Sequence, residues 1–523
     1  GTTSSADFPV TPGAYDQSFN GGSYLHFQMN GTKFNNGTDI YVTKLNSTGT
    51  SLIGSTYIGG SQNDGVNYNI SQTYSSLMHN YGDQFRGEIM IDETGDCYIT
   101  SSTQSTDFPT INGFDNILNG NQDAVALKFN SDLTSLYWST YLGGTNEDAG
   151  YSIKIDTNKN VYVCGGTNSI DFPITSGCIN TAYNGGNADG YIAKIASDCS
   201  SILAATYIGT NNYDQCFFID FDESGNIYTV GQTEGTFPII NSSYSNPNSG
   251  QFIQKINNTL TTINYSTVFG NGNLSSQLSP AAFLVDKCEN VYVSGWGGDI
   301  LSLISLYNMP TTPNALQLNS SDGFDFYLFV LEKDAQSLLY GTYFGGSSSE
   351  EHVDGGTSRF DKNGVIYQSV CAGCWNNNDF PTTSGAWSNT NNSTGCNNGV
   401  FKIDFGLVNF ADAIASPGTS GCAPFTVDFI NNSTGNTFSW NFDDNGQVST
   451  AWQPTHTFNN PGTYDVVLIA IDSSTCNVSD TTIIQVEVLS PNASSTTSYT
   501  TCNSSYTWND STYTQSGIYT FDT

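Results

Sequence analysis

Ser139-Thr-Tyr-Leu-Gly-Gly144 decides the architecture, because it does not occur once. It returns as Ser55-Thr-Tyr-Ile-Gly-Gly60, Ala205-Thr-Tyr-Ile-Gly-Thr210, Ser266-Thr-Val-Phe-Gly-Asn271 and Gly341-Thr-Tyr-Phe-Gly-Gly346. Successive copies stand roughly 60 to 85 residues apart, the spacing of repeated supersecondary units with loop insertions. A second landmark travels with the first. Asp-Phe-Pro begins at Asp7, Asp107, Asp171 and Asp379, and Thr236-Phe-Pro238 and Met309-Pro310 are degraded copies.

Between these landmarks each unit carries four short strand signals. The first is apolar and ends in Asp, as in Ile89-Met-Ile-Asp92 and Ile153-Lys-Ile-Asp156. A turn follows, Glu93-Thr-Gly-Asp96 or Glu223-Ser-Gly-Asn226, whose Gly supplies the positive φ of a tight hairpin. Val161-Tyr-Val163 and Val291-Tyr-Val293 are second strands, and Ala124-Val-Ala-Leu-Lys128 and Tyr191-Ile-Ala-Lys194 are third strands. The fourth runs into the Thr-Tyr-Leu-Gly-Gly signature. Four hairpin-linked strands make one antiparallel sheet, and repeated sheets bury their faces against one another around an axis.

The fold class is therefore all-β: a β-propeller of six or seven four-stranded blades over residues 1–405. Gly1-Thr-Thr-Ser-Ser-Ala-Asp-Phe-Pro9 aligns with Gly165-Gly-Thr-Asn-Ser-Ile-Asp-Phe-Pro173, so the chain is expected to start inside a repeat. Five first-strand copies stand against six third-strand copies. Closing the ring then needs strands from beyond this segment, or an irregular closure through Tyr24-Leu-His-Phe-Gln28.

Composition agrees with this reading. Charged residues are 11% of the 523, against about 25% in an average globular protein. The 47 acids outweigh 13 bases, and the net charge of −34 excludes nucleic acid and anionic membrane surfaces as main ligands. The 37% of hydrophobic and 13% of aromatic residues suffice for a core, and 53 Gly supply turns. No apolar run is long enough to span a bilayer, so direct membrane insertion is not expected. Twelve Cys suit an oxidising compartment. Cys371-Ala-Gly-Cys374 has a redox or metal spacing, but with Cys396 nearby it reads as a structural disulfide, Cys374 or Cys371 with Cys396.

The repeated Tyr-Leu-Gly-Gly, Asp-x-x-Gly-Asn-x-Tyr and Asp-Phe-Pro-Thr elements resemble the SBBP family of bacterial β-propeller repeats. Glu351-His-Val-Asp-Gly-Gly-Thr-Ser-Arg-Phe-Asp361, with Cys371 through Trp387, resembles large secreted Bacteroidetes proteins associated with gliding motility and type IX secretion. After Phe405 the repeats stop. Cys422-Ala-Pro-Phe-Thr-Val-Asp-Phe429, Ser439-Trp-Asn-Phe442 and Gly462-Thr-Tyr-Asp-Val-Val-Leu468 alternate at strand period and resemble the PKD domain, an Ig-like sandwich, over 406–489. The family's Trp-x-Phe-Gly-Asp-Gly appears as Trp440-Asn-Phe-Asp-Asp-Asn-Gly446. Cys422 and Cys476 bracket that domain, and a disulfide between them would close a loop of more than fifty residues. In the chain-entropy treatment it is worth roughly 4 kcal/mol. Residues 490–523 read as the start of a further β module or a linker.

Candidate sites are few. Asp220, Asp222, Ser224 and Asn226 place oxygen donors at alternate positions with Gly225 at the bend, as calcium loops do. The sibling turns lose the first acid, and the ordinary reading is a side-chain-capped hairpin. Glu351, His352 and Asp354 form a second candidate metal set, against the plainer reading of an inter-blade hydrogen-bond cluster. Lys44, Lys128, Lys194, Lys255 and Lys402 share one repeat slot and are expected to pair with acids such as Asp92 and Asp156 between blades. Trp296, Trp375 and Trp387, placed in blade loops, are candidates for stacking on sugar rings. Thr481 and Ser511 sit in Asp-Thr-Thr and Asp-Ser-Thr tripeptides that resemble the O-glycosylation sequon of Bacteroidetes.

No nucleophile elbow or phosphate loop is present, and no acid–base constellation can be assembled from His26, His79, His352 and His456. The expectation is a secreted, non-catalytic cell-surface protein serving structure, adhesion or gliding motility. It requires no cofactor, and calcium is the one ion its acids would suit. Partners would be other cell-surface or secretion-system proteins, or surface polysaccharide. The alternatives are a carbohydrate-binding or polysaccharide-active protein, and a filament subunit completed by strand exchange.

Overall fold

The computed structural model describes residues 1–27, 32–67, 77–297, 306–353, 358–473, 475–491, 499–500, 504–508 and 511–519. Among these, regular structure is strand apart from three single-turn 3-10 segments. The chain divides into two compact units, 1–408 with 475–477, and 409–474 with 478–523.

The first unit is a propeller of six consecutive antiparallel sheets. The second sheet comprises Glu88–Ile91, Cys97–Thr103, Asp123–Phe129 and Leu136–Leu142. The third comprises Asp148–Ile155, Val161–Thr167, Asp189–Ile195 and Ile202–Ile208. The fourth and fifth follow from Asp214–Phe221 and Leu278–Val285 with the same order. The end sheets are three-stranded. The first has Thr2–Thr3, Asp39–Leu45 and Leu52–Ile58, with no inner strand among the described residues. The sixth has Arg359–Phe360, Ile366–Ala372 and Asn397–Ile403, and lacks an outer one.

Six sheets settle the choice between six and seven blades among the described residues. Among the described residues of the segment after Tyr24, Leu25–His26 pairs with Lys33–Phe34 in a separate two-stranded ladder; Gln28 lies outside them. The inner ring passes from the sixth sheet to the second, where Arg359 Nη1 lies 2.7 Å from Glu88 Oε1.

Lysines of the shared slot meet partners both within a blade and across blades: Lys44 Nζ donates to the Ser131 carbonyl of the second blade at 3.0 Å, and Lys194 Nζ to the Asn258 carbonyl of the fourth at 3.5 Å. Tyr98↔Lys128, Tyr162↔Lys194, Tyr228↔Lys255 and Tyr367↔Lys402 are register partners on the second and third strands. Each Nζ lies 4.8 to 5.1 Å from its tyrosine ring centroid. Lys128 and Lys194 reach the acids of their own blade's first turn, Asp96 at 3.0 Å and Asp156 at 3.5 Å. Lys255 adds two acids from the next blade, Glu289 at 2.7 Å and Asp334 at 3.6 Å.

The second unit is a two-sheet sandwich. Ala413–Ser416, Phe425–Asn431 and Thr455–Phe458 form one sheet. The other carries Ser420–Cys422, Ser479–Leu489, Gly462–Ile471, Thr437–Asn441 and Val448–Ser449. Val427, Phe429, Trp440, Phe458, Val466, Leu468 and Val486 fill the space between them. His456 packs flat on Phe442 at 4.3 Å and meets Asp444 at 3.1 Å, a core histidine. A further short hairpin, Tyr506–Trp508 with Ser511–Tyr513, follows.

The pairing of Cys422 with Cys476 does not occur. Cys422 is aligned with Leu489, whereas Cys476 lies in the turn beyond Ile471↔Ser479, at the far end of the same strand. Ten residues at about 3.3 Å each put the two some 33 Å apart. Cys476 is bonded to Cys288, and Cys422 is exposed. Cys97, Cys164, Cys199 and Cys216 are buried thiols serving as small core residues.

Candidate functional site

The outer-strand signature holds the long loop that carries Asp-Phe-Pro. In the second blade, Ser139 Oγ donates to the Pro109 carbonyl at 2.5 Å, and Thr140 Oγ1 both accepts the Asp115 amide and donates to its carbonyl. Tyr141 Oη donates to the Ser105 carbonyl at 2.6 Å and accepts the Phe108 amide at 3.1 Å. Ser55, Thr56 and Tyr57 repeat these bonds to Pro9, Asp16, Ser5 and Phe8. The loop's own Asp then reaches across to the preceding blade. Asp107 accepts from the Ser61 amide and hydroxyl, Asp171 from those of Thr145, and Asp379 from those of Ser347. Two motifs far apart in sequence recur together because they are one device.

The Gly-Gly of the signature marks a feature the sequence reading missed. At four junctions an acid opening the third strand faces an acid at the start of the next blade: Asp39 and Asp64, Asp123 and Asp148, Asp189 and Asp214, Asp325 and Glu351. All eight are buried. The first glycine lies between them, and a Cβ on Gly143 would stand 2.6 Å from Asp123 Oδ1 and 2.8 Å from Asp148 Oδ2. The second glycine's amide donates to the following acid, as Gly144 does to Asp148 at 2.8 Å. Burial pushes Asp148 and Glu351 up to about 8, Asp64, Asp123, Asp189 and Asp214 up to about 7, and Asp39 and Asp325 up to about 6. At the remaining junction the same positions hold Gln251 and Gln277, neutral at every pH. The acid four or five residues after the signature's second glycine, or after Thr210 in its place, was the available signal.

A propeller's axis is ordinarily a channel; here the chain fills it. Residues 77–86, between the first and second sheets, touch four others. Tyr151 Oη donates to the Leu77 carbonyl at 2.6 Å, and His79 stacks on Tyr213 at 3.9 Å. Asn80 exchanges hydrogen bonds with Gln232, and Tyr81 meets Trp296 and His352 edge-on. Arg86 pairs with Asp83 at 2.5 Å, donates to the Pro280 carbonyl at 3.0 Å and covers the Phe217 ring at 4.5 Å. Inner strands have register shifts at Tyr151, Phe217 and Ala281, and such bulges re-aim side chains. Arg86 and Arg359 are the only arginines of the chain, and one lies in this plug and the other at the ring closure.

The structure separates the calcium-loop candidates. Asp220 faces Lys154 at 3.5 Å and accepts the Val285 amide. Asp222 accepts the amides of Ser224 and Asn226 and the Asn226 side chain, closing its own hairpin. Glu351 turns to Ser349, the Gly346 amide and Asp325, while its neighbour His352 turns to Tyr81, Trp296 and Cys371. Asp354 lies outside the described residues. Cys374 is bonded to Cys396. Trp296 is a buried second-strand residue, not a loop residue, so it offers no face to a sugar; Trp387 is fully exposed, and the Trp375 side chain is outside what is described. Thr481 and Ser511 are exposed. One surface depression of about 490 Å³, lined by Tyr15, Asp16, Asn20, Gly59, Gly60, Ser61, Asp107 and Pro109, lies over the first junction.

Comparison with known proteins follows these boundaries. No curated protein matches the chain. Among solved structures, the PKD1 domain of the Vibrio cholerae metalloprotease PrtV is 28% identical over 16% of this chain and 98% of that one, with a TM-score of 0.13. Ulvan lyase of polysaccharide lyase family PL25 is 10% identical over 81% of this chain and 95% of that one, TM-score 0.34. PorZ, a surface component of the type-IX secretion system of Porphyromonas gingivalis, is 12% identical over 88% of this chain and 52% of that one, TM-score 0.29. At these scores none bears on activity. Residues 138–173 and 205–238 match the Beta-propeller repeat family, SBBP, and residues 410–488 match the PKD domain: the chain carries SBBP propeller repeats and a PKD domain.

Proposed function

We propose that this is a non-catalytic extracellular surface protein, a rigid propeller joined to Ig-like modules that serves attachment, surface structure or gliding motility. The observation that carries the reading is the filled axis. Asn80, Arg86 and the Leu77 carbonyl of this segment bond to the chain's own blades. Two disulfides and the net charge of −34 suit exposure outside the cell. The motility association rests on the family resemblance of the sequence around Glu351–Asp361.

Protease treatment of intact cells, with quantitation of the chain, tests location, and deletion tests attachment and spreading. Removal of the chain by external protease together with weaker attachment or spreading is expected. A chain protected inside the cell overturns the reading. So does turnover of polysaccharide by the purified chain that is lost on Glu351→Gln and His352→Ala.

A further inference from the structure

We propose that His352, Cys371, Cys374 and Cys396 form a binding site for a thiophilic divalent cation, zinc in the first place, when the Cys374–Cys396 crosslink is reduced.

Three chain segments deliver the donors. Cys371 is near the end of the second strand of the sixth sheet, paired with Asn398. Gly373 follows at φ 62 and ψ 36, a left-handed turn, and returns the chain so that Cys374 opens a short 3-10 turn. Cys396 immediately precedes the third strand, Asn397–Ile403. His352 is bridged to Cys371 by two backbone hydrogen bonds, its amide to the Cys371 carbonyl at 3.3 Å and the reverse at 2.9 Å. An imidazole nitrogen of His352 and the Sγ atoms of Cys371 and Cys396 all lie within 4.8 Å of one another. Cys374 Sγ is bonded to Cys396 Sγ and so lies one bond from that cluster.

Chemistry favours zinc over a hard cation. Three thiolates and one imidazole are a structural zinc donor set, and Cys-x-x-Cys followed by a more distant Cys is its usual spacing. The donors need to draw in only modestly to reach bond lengths of about 2.0 to 2.3 Å around one centre. Two of the four donors are buried, while Cys371 is half-buried and Cys396 exposed, so the ion can enter from that side. Cys374 is 1% and His352 7% exposed, and the imidazole is held edge-on by Tyr81 at 5.1 Å and packed by Trp296 at 5.8 Å. The crosslink engages two of three sulfurs, so a disulfide cannot use the whole set, whereas a tetrahedral ion can.

The interconversion balances with a trialkylphosphine as reductant. Phosphorus takes oxygen from water and becomes the phosphine oxide, the S–S bond accepts two electrons, and water's two protons go to Cys374 and Cys396. Zinc then displaces three thiol protons, so binding strengthens as pH rises.

The full chain, reduced with such a phosphine and titrated with Co2+ and then Zn2+, tests the site. Roughly one Co2+ per chain is expected, with the visible bands of tetrahedral thiolate coordination, bleached by zinc. His352→Ala and Cys371→Ser should each weaken binding by roughly 100-fold or more, beyond the effect of losing a mere neighbour of the ion. Neither variant removes a partner of the Cys374–Cys396 bond, so retention of that disulfide before reduction certifies folding. Cys422→Ser, in the second unit, should leave binding unchanged. Absence of bands in the reduced chain, or unaltered bands in both ligand variants, overturns the proposal.

Discussion

Arg359 and Glu88 meet at 2.7 Å across the sixth and second sheets. Glu88 is buried, and its other oxygen accepts from Ser152 and from the Ile153 amide in the third sheet. One carboxylate therefore joins three blades at the place where the first sheet supplies no inner strand among the described residues. Arg359→Met takes one cation from that buried carboxylate, but the Arg359 side chain is 45% exposed and solvent screens part of the loss. A loss of about 1 kcal/mol in urea unfolding is expected. A loss below about 0.5 kcal/mol would mean that the pair is not the closure.

Tyr141→Phe removes one donor and one acceptor from the loop of the second blade. About 1 to 3 kcal/mol should be lost, with new protease cleavage between residues 104 and 118. Cleavage unchanged in the variant would show that Ser139 and Thr140 hold the loop unaided.

Lys255 gathers Asp222 at 3.0 Å, Glu289 at 2.7 Å and Asp334 at 3.6 Å. Although burial opposes it, the hydrogen bonds and charge of Lys255 and Lys333 hold Glu289 below its usual value. Lys255→Met should let Glu289 rise toward that value, read by carboxyl NMR titration, and destabilise the fourth blade. An unmoved Glu289 would contradict this account.

The carboxyl pairs make stability depend on pH in an uncommon direction. A folded-state value raised above the unfolded 3.8 or 4.5 means that the folded chain binds the extra protons. Their stabilisation is complete below about pH 4 and is lost as pH climbs through 6 to 8. Asp92 and Asp156 act oppositely. Burial opposes ionisation, but hydrogen bonds and the nearby lysines hold both below 3.8, so their contribution vanishes only as pH falls beneath that value. In metal-free buffer the propeller should therefore melt higher at pH 5 than at pH 8. Asp148→Asn should flatten the slope between them. A Tm that rises steadily from pH 5 to pH 8 would refute neutral carboxyl pairs.

Reducing Cys374–Cys396, which spans 22 residues, releases a constraint of roughly 3 kcal/mol. Hydrogen exchange should quicken over 357–405 before it does over 151–256. The reverse order would place the vulnerable junction elsewhere.

Strand content was legible because its cause is local: Tyr162 or Lys194 alternates with its neighbours whatever surrounds the blade. Ser139, Thr140 and Tyr141 were legible as landmarks but not as clamps, since their partners at Pro109, Asp115 and Ser105 lie 25 to 36 residues away. Cys476 was misassigned because order along the chain does not say which end of a ladder a residue occupies. Asp220 and Asp222 look like converging ligands on paper, yet Asp220 serves the blade interfaces and Asp222 its own turn. The carboxyl pairs were hidden for a similar reason, each joining residues of two repeats.

The filled axis also imposes an order in time. Arg86 is made early, but its acceptor at Pro280 follows 194 residues later. A chain emerging from the ribosome can zip each sheet as it appears, while the plug stays hydrated until the fifth and sixth sheets arrive. Contacts of such separation slow folding, because their loops must close before they are rewarded. Seating of 77–86 should thus be the last and slowest refolding phase, visible in the fluorescence of Trp296 as Tyr81 comes to rest against it. The propeller is locked from within by a piece synthesised before most of its walls.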